Sequence, residues 1–107
     1  MTAIVTVYAT FGSEEEARRI CRTAVEEGLA ACANVLAPCH SVYRWQGEVE
    51  EAAEHAAILK TSAATAPKLL ARIEALHSYD VPAAVVWPIA DALDGYRDWV
   101  GAETMPE

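Results

Sequence analysis

Six side chains in this sequence are of the types that bind soft or borderline metal ions. They are Cys21, Cys32, Cys39, His40, His55 and His77. A metal site needs several such thiolate or imidazole groups to converge in a fixed geometry. None of the six stands at the spacing of a zinc knuckle or of a helical HxxxH pair. Local spacing therefore predicts no structural zinc site, and only the fold can bring these groups together.

Cys39 and His40 are adjacent and directly follow Pro38. In a regular strand, neighbouring side chains point to opposite faces of the sheet. The proline interrupts the strand pattern, and an irregular backbone at this point would let the thiol and the imidazole face the same side. Under that condition the pair is a candidate metal contact.

His77 lies at the end of an apolar helical pattern and has two possible roles. In the first, it contacts a metal ion. In the second, it is structural, because the dipole at a helix C-terminus favours a protonated imidazole and because the ring can hydrogen-bond to a free carbonyl group. The pattern alone is compatible with both roles.

Catalytic signatures are missing from the sequence. Nucleophilic catalysis needs an activated hydroxyl or thiol, but there is no GxSxG segment and no known cysteine-nucleophile signature. The five glycines are scattered, and no GxxxxGK run is present to hold a phosphate. The sequence therefore predicts a protein that is not an enzyme and that has no organic cofactor.

The acidic side chains restrict the possible partners. The 107 residues include 16 acidic and 8 basic side chains, which gives a formal net charge of −8. This charge repels nucleic-acid phosphates and anionic lipids, so we expect neither nucleic-acid nor membrane binding. Four acids lie close together, and we favour a solvated face for them over a hard-cation patch in an assembly. They are Glu48, Glu50, Glu51 and Glu54.

The N-terminal residues and the cysteines predict a cytoplasmic location. Met1 leads into an alternating apolar run with no basic residues before it, which is unlike a secretory signal. The longest apolar stretches, residues 29–39 and 81–90, are far shorter than the roughly 20 residues of a membrane-spanning helix. The three cysteines are odd in number and form no CxxC motif. We therefore expect free thiols in a reducing compartment.

The first two elements can be predicted from their patterns. Residues 4–11 alternate in β-branched and other apolar side chains, which predicts a strand. Ser13 and Glu16 form a capping-box signal, so a helix should begin at or just after Ser13. Its apolar positions place Cys21 on the core side, and Gly28 is placed to end it.

The rest of the chain alternates between extended and helical patterns. Residues 29–46 read as one long strand, bent at Pro38, that leads to a turn at Gly47. Residues 48–61 are rich in Ala, Glu, Leu and Lys, so propensity alone favours a helix. Thr65 is placed to cap another helix that ends near Ser78. A last strand is expected over residues 85–89, and a short helix over residues 94–100.

Three unusual segments link this chain to a known family. LAACANV (residues 29–35), SVYRWQGEVE (41–50) and LHSYDVP (76–82), together with Lys60 and Thr61, resemble the CutA divalent-cation-tolerance family in order and spacing. The resemblance implies that residues 48–61 are the second arm of a long hairpin. It also implies a single ferredoxin-like α+β domain over residues 1–107, βαββαβ plus a short C-terminal helix. In this family, three copies assemble into a trimer whose hairpins pair with neighbouring sheets.

The resemblance also bears on metal binding. His77 matches a histidine that is associated with copper binding in some members, whereas Ala9 and Leu76 stand where those members have a cysteine and a second histidine. Cys32 matches a recurrent cysteine, which in a packed strand would also behave as a small buried hydrophobe. The chain further departs from the family pattern at Gly28, Ser78 and Ala83.

Together with the residues, the resemblance implies a cytoplasmic homotrimer that binds copper or another divalent cation by ligation, without turnover. The predicted metal contacts are His77, Cys39, His40 and Cys32. The alternative is a trimeric sensor like the PII proteins, which would bind a small molecule between subunits. Tyr79 and Asp80 should lie nearest to such a cleft.

Overall fold

Four strands and three helices make up the part of the chain that the computed structural model describes, residues 2–104. In chain order they are β1 (Ile4–Phe11), α1 (Glu14–Glu26), β2 (Cys32–Trp45), β3 (Glu48–Ser62), α2 (Ala66–Leu76), β4 (Ala84–Pro88) and α3 (Asp94–Glu103). The strands form one antiparallel sheet in the order β2-β3-β1-β4. This confirms the predicted ferredoxin-like α+β fold.

The main core lies between one face of the sheet and the helices α1 and α2. Val7, Ala9 and Phe11 alternate along β1 and are fully buried on this face. Ile20 of α1 and Leu69 of α2 belong to the same buried cluster. Burial of each large apolar side chain contributes about 1.5–3 kcal/mol, so this layer supplies most of the energy that holds the helices to the sheet.

α1 begins as the capping-box signal predicts. The Ser13 hydroxyl accepts a hydrogen bond from the Glu16 amide over 3.1 Å. In the usual capping box, the glutamate carboxylate accepts from the backbone amide of the N-cap residue, here Ser13. In this chain the Glu16 carboxylate accepts instead from the Gly12 amide over 3.3 Å. Cys21 faces the core, as predicted, and burial raises the pKa of its thiol to about 11.

β2 and β3 form a long hairpin that gives the chain its longest dimension, 45 Å against 25 and 23 Å. Their pairing runs from Cys32 opposite Lys60 to Trp45 opposite Glu48, with a register shift between Val35 and Pro38. The prediction of a helix over residues 48–61 from propensity alone is therefore wrong. The hairpin that the family resemblance implies is confirmed. Burial of alternate β3 residues in the core outweighs the helix propensity of alanine.

α2 begins where predicted, but Thr65 does not cap it through its side chain. The Thr65 hydroxyl donates instead to the carbonyl oxygen of Thr104, and it accepts a hydrogen bond from Ser62 over 2.9 Å. This polar cluster attaches the end of α3 to the turn before α2. α3 also packs Val100 against Ile4 in a second, smaller core.

Candidate functional site

The loop that follows α2, residues 77–83, lies against the base of the hairpin. The Tyr79 hydroxyl donates to Glu54 Oε2 over 2.8 Å, which ties the loop to β3. The Ser78 amide donates to Glu16 Oε2 over 2.8 Å, which ties the loop to α1. Gly12 allows the close approach of the loop, since a Cβ atom there would lie 3.1 Å from the Tyr79 hydroxyl oxygen. The loop is thus fixed on both sides.

His77 is buried at the start of this loop, with both ring nitrogens bound to backbone groups. Nε2 lies 2.7 Å from the Thr10 carbonyl oxygen, and Nδ1 lies 3.1 Å from the Tyr79 amide nitrogen. A carbonyl only accepts and an amide only donates, so these partners assign the proton to Nε2. The ring also stacks on Phe11 with centroids 5.0 Å apart. A metal ion would have to displace one of the two hydrogen bonds to reach this histidine.

The Glu16 carboxylate is the charged anchor of the loop. Burial tends to raise its pKa, but the hydrogen bonds from Ser78 and Gly12 outweigh burial and hold the pKa below its ordinary value. Sequence reasoning found Glu16 as a capping residue and missed its link to Ser78. Nothing in the spacing of residues 16 and 78 signals that contact.

Cys39 and His40 point to opposite faces of the hairpin. The register shift ends before them, so Cys39 lies opposite Glu54 and His40 opposite Ala53 in regular pairing. The irregular backbone that would place both side chains on one side therefore does not occur. Cys39 Sγ lies 3.8 Å from the Ser41 hydroxyl oxygen.

His40 has an acidic partner on its own face. Its Nε2 lies 2.6 Å from Glu51 Oε1, a diagonal contact across the two strands. Both side chains are more than half exposed. This pair combines an imidazole and a carboxylate, two of the groups that bind divalent transition metals.

Cys32 is the first residue of β2, whereas Cys39 lies near the middle of the same strand. Its Sγ is 3.2 Å from the Tyr96 hydroxyl oxygen of α3. Burial, followed by the hydrogen bond and charge of Cys32, raises the pKa of Tyr96 to about 12. In residues 2–104 no three His, Cys, Asp or Glu side chains converge as a metal site. Within one chain, the fold thus does not bring the predicted metal contacts together.

An open cleft of about 680 Å³ lies between the hairpin and the loop after α2. Aromatic and acidic side chains form much of its wall, among them Tyr43, Trp45, Glu50, Glu54, Tyr79 and Asp80. Tyr79 and Asp80 lie at this cleft, whereas the predicted cleft between subunits stays a prediction. The wall is formed by a single chain.

The sequence and fold can be compared with those of known proteins. The family model described as CutA1 divalent ion tolerance protein matches residues 5–103. The chain belongs to this family. It is 47% identical over 98 residues to the divalent-cation tolerance protein CutA of Thermus thermophilus, covering 92% of this chain and 95% of that one. The solved structure from Thermus thermophilus matches with a TM-score of 0.91 and 46% identity, covering 94% of this chain and 98% of that one.

Two other CutA proteins carry names that refer to different compartments. A chloroplastic protein of Arabidopsis thaliana is 34% identical over 100 residues, which cover 94% of this chain and 55% of the relative. A solved structure from Archaeoglobus fulgidus is named as a periplasmic divalent cation tolerance protein. It matches with a TM-score of 0.91 and 35% identity over 94% of this chain and 98% of that one. CutA membership therefore does not fix a compartment, and the cytoplasmic location stays a prediction.

Two other predictions concern the alternative function and membrane binding. All of the relatives reported above carry CutA names, so they give no support to the alternative of a PII-like sensor. In the described part of the chain, no helix is long and apolar enough to cross a membrane.

Proposed function

We propose that the chain acts as a homotrimer that binds copper or another divalent cation and thereby contributes to tolerance of such ions. Membership of the divalent ion tolerance family is the observation that carries this proposal. The binding is ligation and involves no turnover. The names of the relatives favour a tolerance or binding protein over an enzyme.

The surface of the chain supports assembly with other copies. β2 and β4 form the two edges of the sheet, and a strand edge offers unpaired backbone groups to another chain. On the sheet face opposite the main core, Val85 and Trp87 are each 48% exposed. On the hairpin, Val42 and Val49 are more than 60% exposed. Apolar surface of this kind is typical of an interface, which three copies of the chain would bury.

The hairpin also carries the most accessible metal donors among the predicted contacts. The His40 imidazole and the Glu51 carboxylate are already close together and open to solvent. A divalent cation that replaces the proton between them would gain two ligands, and other copies or water would complete its shell. Cys39, Cys32 and His77 remain proposed contacts, with His77 the hardest to reach because its ring is buried.

Native mass spectrometry of reduced, chelator-stripped protein titrated with Cu²⁺ and Zn²⁺ tests both parts of the proposal. We expect a trimer that takes up a whole number of ions per chain. If the hairpin holds the ion, His40→Ala should abolish metal uptake. If the histidine that matches the family's copper-associated histidine holds it, His77→Gln should abolish metal uptake. Cys39→Ser and Cys32→Ser test the thiols in the same way.

The two parts of the proposal fail separately in this experiment. A monomer would contradict the assembly even if metal binds. A trimer that takes up no ion at concentrations up to about 1 mM, the weak end of specific binding, would contradict metal binding. Glu74→Gln provides the control, because it removes an exposed acid that lies on α2 and far along the chain from the hairpin.

A further inference from the structure

The cleft between the hairpin and the loop after α2 has the size of a small-molecule site. Its volume of about 680 Å³ falls within the range of roughly 300–1,000 Å³ that ligand pockets occupy. The hydrogen bond from Tyr79 to Glu54 fixes the two sides of the cleft relative to each other. The cleft is therefore formed before any ligand arrives.

The charge of this cleft favours a cation. Three carboxylates line it, those of Glu50, Glu54 and Asp80, against one basic side chain, Arg44. The Arg44 guanidinium donates to the Gly47 carbonyl oxygen over 3.3 Å at the hairpin tip. With three acids and one base in the wall, the cleft attracts positive charge at neutral pH.

Glu54 is the most distinctive of these acids because it is more than nine-tenths buried. Its Oε2 accepts the hydrogen bond from Tyr79, while within residues 2–104 no hydrogen bond uses Oε1. Glu54 lines the cleft, and a hydrogen bond from a charged donor there would be stronger than one from a neutral donor. Glu54 therefore supplies a place for an ammonium group.

The aromatic walls favour a cation with an apolar body. Tyr43, Trp45 and Tyr79 line the cleft, and each keeps more than a third of its surface exposed. Burial, followed by the neighbouring carboxylates, raises the pKa of Tyr79 to about 12, and similar causes raise the pKa of Tyr43. Both phenols therefore stay neutral at pH 7. Neutral aromatic faces pack against methylene groups and attract ammonium groups.

The spacing of the acids favours a ligand with two separated charges. Glu50 and Glu54 lie on the same face of β3, four residues and thus about 13 Å apart. An inorganic cation needs several oxygens within about 2.6 Å of one point, and in the described residues no such group converges. A linear organic cation can instead place one charged end near each carboxylate.

We propose that this cleft binds a linear aliphatic polyamine, with one ammonium group at Glu54, another at Glu50 or Asp80, and the methylene chain across the aromatic walls. The site shares no residue with the four proposed metal contacts. The wall of the cleft is formed by one chain, and the proposal does not depend on metal binding.

Isothermal titration calorimetry of the metal-free protein with spermidine, at physiological salt concentration, tests the proposal. We expect saturable binding of one spermidine per chain. Glu54→Gln keeps an oxygen that can accept from Tyr79 but removes the charge, and it should weaken binding about tenfold. Asp80→Asn changes an exposed loop position and should also weaken spermidine binding. This second variant tests the proposal if the Glu54 variant does not fold. n-Butylamine, with one charge, should bind at least about tenfold more weakly than spermidine.

Glu74→Gln makes the same change of charge on the exposed side of α2 and should leave spermidine affinity within about twofold. Equal weakening by the control and by the cleft variants would overturn the proposal, because it would indicate diffuse attraction to an acidic protein. Competition by equimolar Mg²⁺ would overturn it too, as would the absence of saturable binding.

Discussion

The His77 ring joins the end of α2 to the end of β1, because its Nε2 donates a hydrogen bond to the Thr10 carbonyl oxygen over 2.7 Å. Its Nδ1 accepts from the Tyr79 amide, and its face stacks on Phe11. Together with Glu16, which holds Ser78 from the other side, His77 fixes the loop that forms one wall of the cleft. His77, which matches the family's copper-associated histidine, thus positions the loop after α2 in this structure.

Replacement of His77 tests this structural role. His77→Ala leaves the Thr10 carbonyl and the Tyr79 amide without their partners and opens a cavity beside Phe11. We expect a loss of about 2–4 kcal/mol in the free energy of unfolding, measured by urea denaturation at fixed protein concentration. His40→Ala removes the same ring from an exposed position and should cost no more than about 0.5 kcal/mol. Similar values for the two variants would contradict the role of His77.

The contacts of His77 illustrate what the sequence can and cannot predict. The end of α2 was predicted near Ser78 from the helical pattern, and the helix ends two residues earlier, at Leu76. The carbonyl partner was not predictable, since Thr10 lies 67 positions away and its backbone carries no side-chain signal.

Cys39 and His40 are a different case. They lie on opposite faces because the register shift ends before Cys39, and the local sequence does not show at which residue regular pairing resumes.

The hairpin shows a second limit of local sequence. Residues 48–61 have helix propensity, yet β3 occupies them because Ala57 and Leu59 fill the core between β1 and the helices. Propensities differ by only tenths of a kcal/mol per residue, whereas burial of a leucine contributes about 2 kcal/mol. Tertiary burial is not visible in a local window, and only the whole-chain resemblance indicated the strand.

Glu16 should give stability a specific dependence on pH. Its pKa in the folded protein is lowered, so its ionised form stabilises the fold above the unfolded-state pKa of about 4.3. That contribution is lost as the pH falls through the folded-state pKa. Glu16→Gln should therefore cost about 1–3 kcal/mol at pH 7, and the difference from wild type should shrink below pH about 4.

Denaturation midpoints measured from pH 7 to pH 3 check this expectation. Glu14→Gln is the matched control, because it removes an exposed acid from the same first turn of α1. If the two variants gave the same pH profile, the hydrogen bonds from Gly12 and Ser78 would not be the cause.

Thr65 should control the stability of α3. Thr65→Val keeps the shape of the side chain but removes the hydroxyl that donates to the Thr104 carbonyl oxygen. We expect a loss of about 1–2 kcal/mol and faster hydrogen exchange in the last turn of α3, because a buried hydrogen bond is lost. Thr23→Val removes a hydroxyl that bonds within α1 and should leave exchange in α3 unchanged. Unchanged exchange in both variants would mean that Thr65 does not hold α3.

The three thiols should differ in reactivity. Cys21 is buried, and burial raises the pKa of its thiol to about 11, whereas Cys32 and Cys39 are partly exposed. At a given pH, the thiolate fraction of Cys21 is roughly 300-fold below that of an ordinary thiol with a pKa near 8.5. Mass spectrometry after iodoacetamide treatment at pH 8 should find Cys39 labelled in the native protein and Cys21 only after unfolding. Native labelling of Cys21 at the rate of Cys39 would contradict the burial.

Two glycine substitutions should change stability in opposite directions. Gln46 and Gly47 at the hairpin tip both have positive φ angles, 50° and 82°, which is the geometry of a type I′ turn. Gly95 lies in α3, without a positive φ. A Cβ atom at either glycine would meet nothing within 4 Å, so only the backbone conformation distinguishes the two sites.

Gly47→Ala should therefore cost about 1–2 kcal/mol, the penalty of the left-handed region for a residue with a Cβ atom. Gly95→Ala should stabilise the protein by about 0.5–1 kcal/mol, because alanine loses less backbone entropy in a helix. Urea denaturation of both variants gives the two signs directly. If Gly47→Ala were as stable as wild type, the tip could not be a type I′ turn, and the register that it sets for Tyr43 and Trp45 would have another origin.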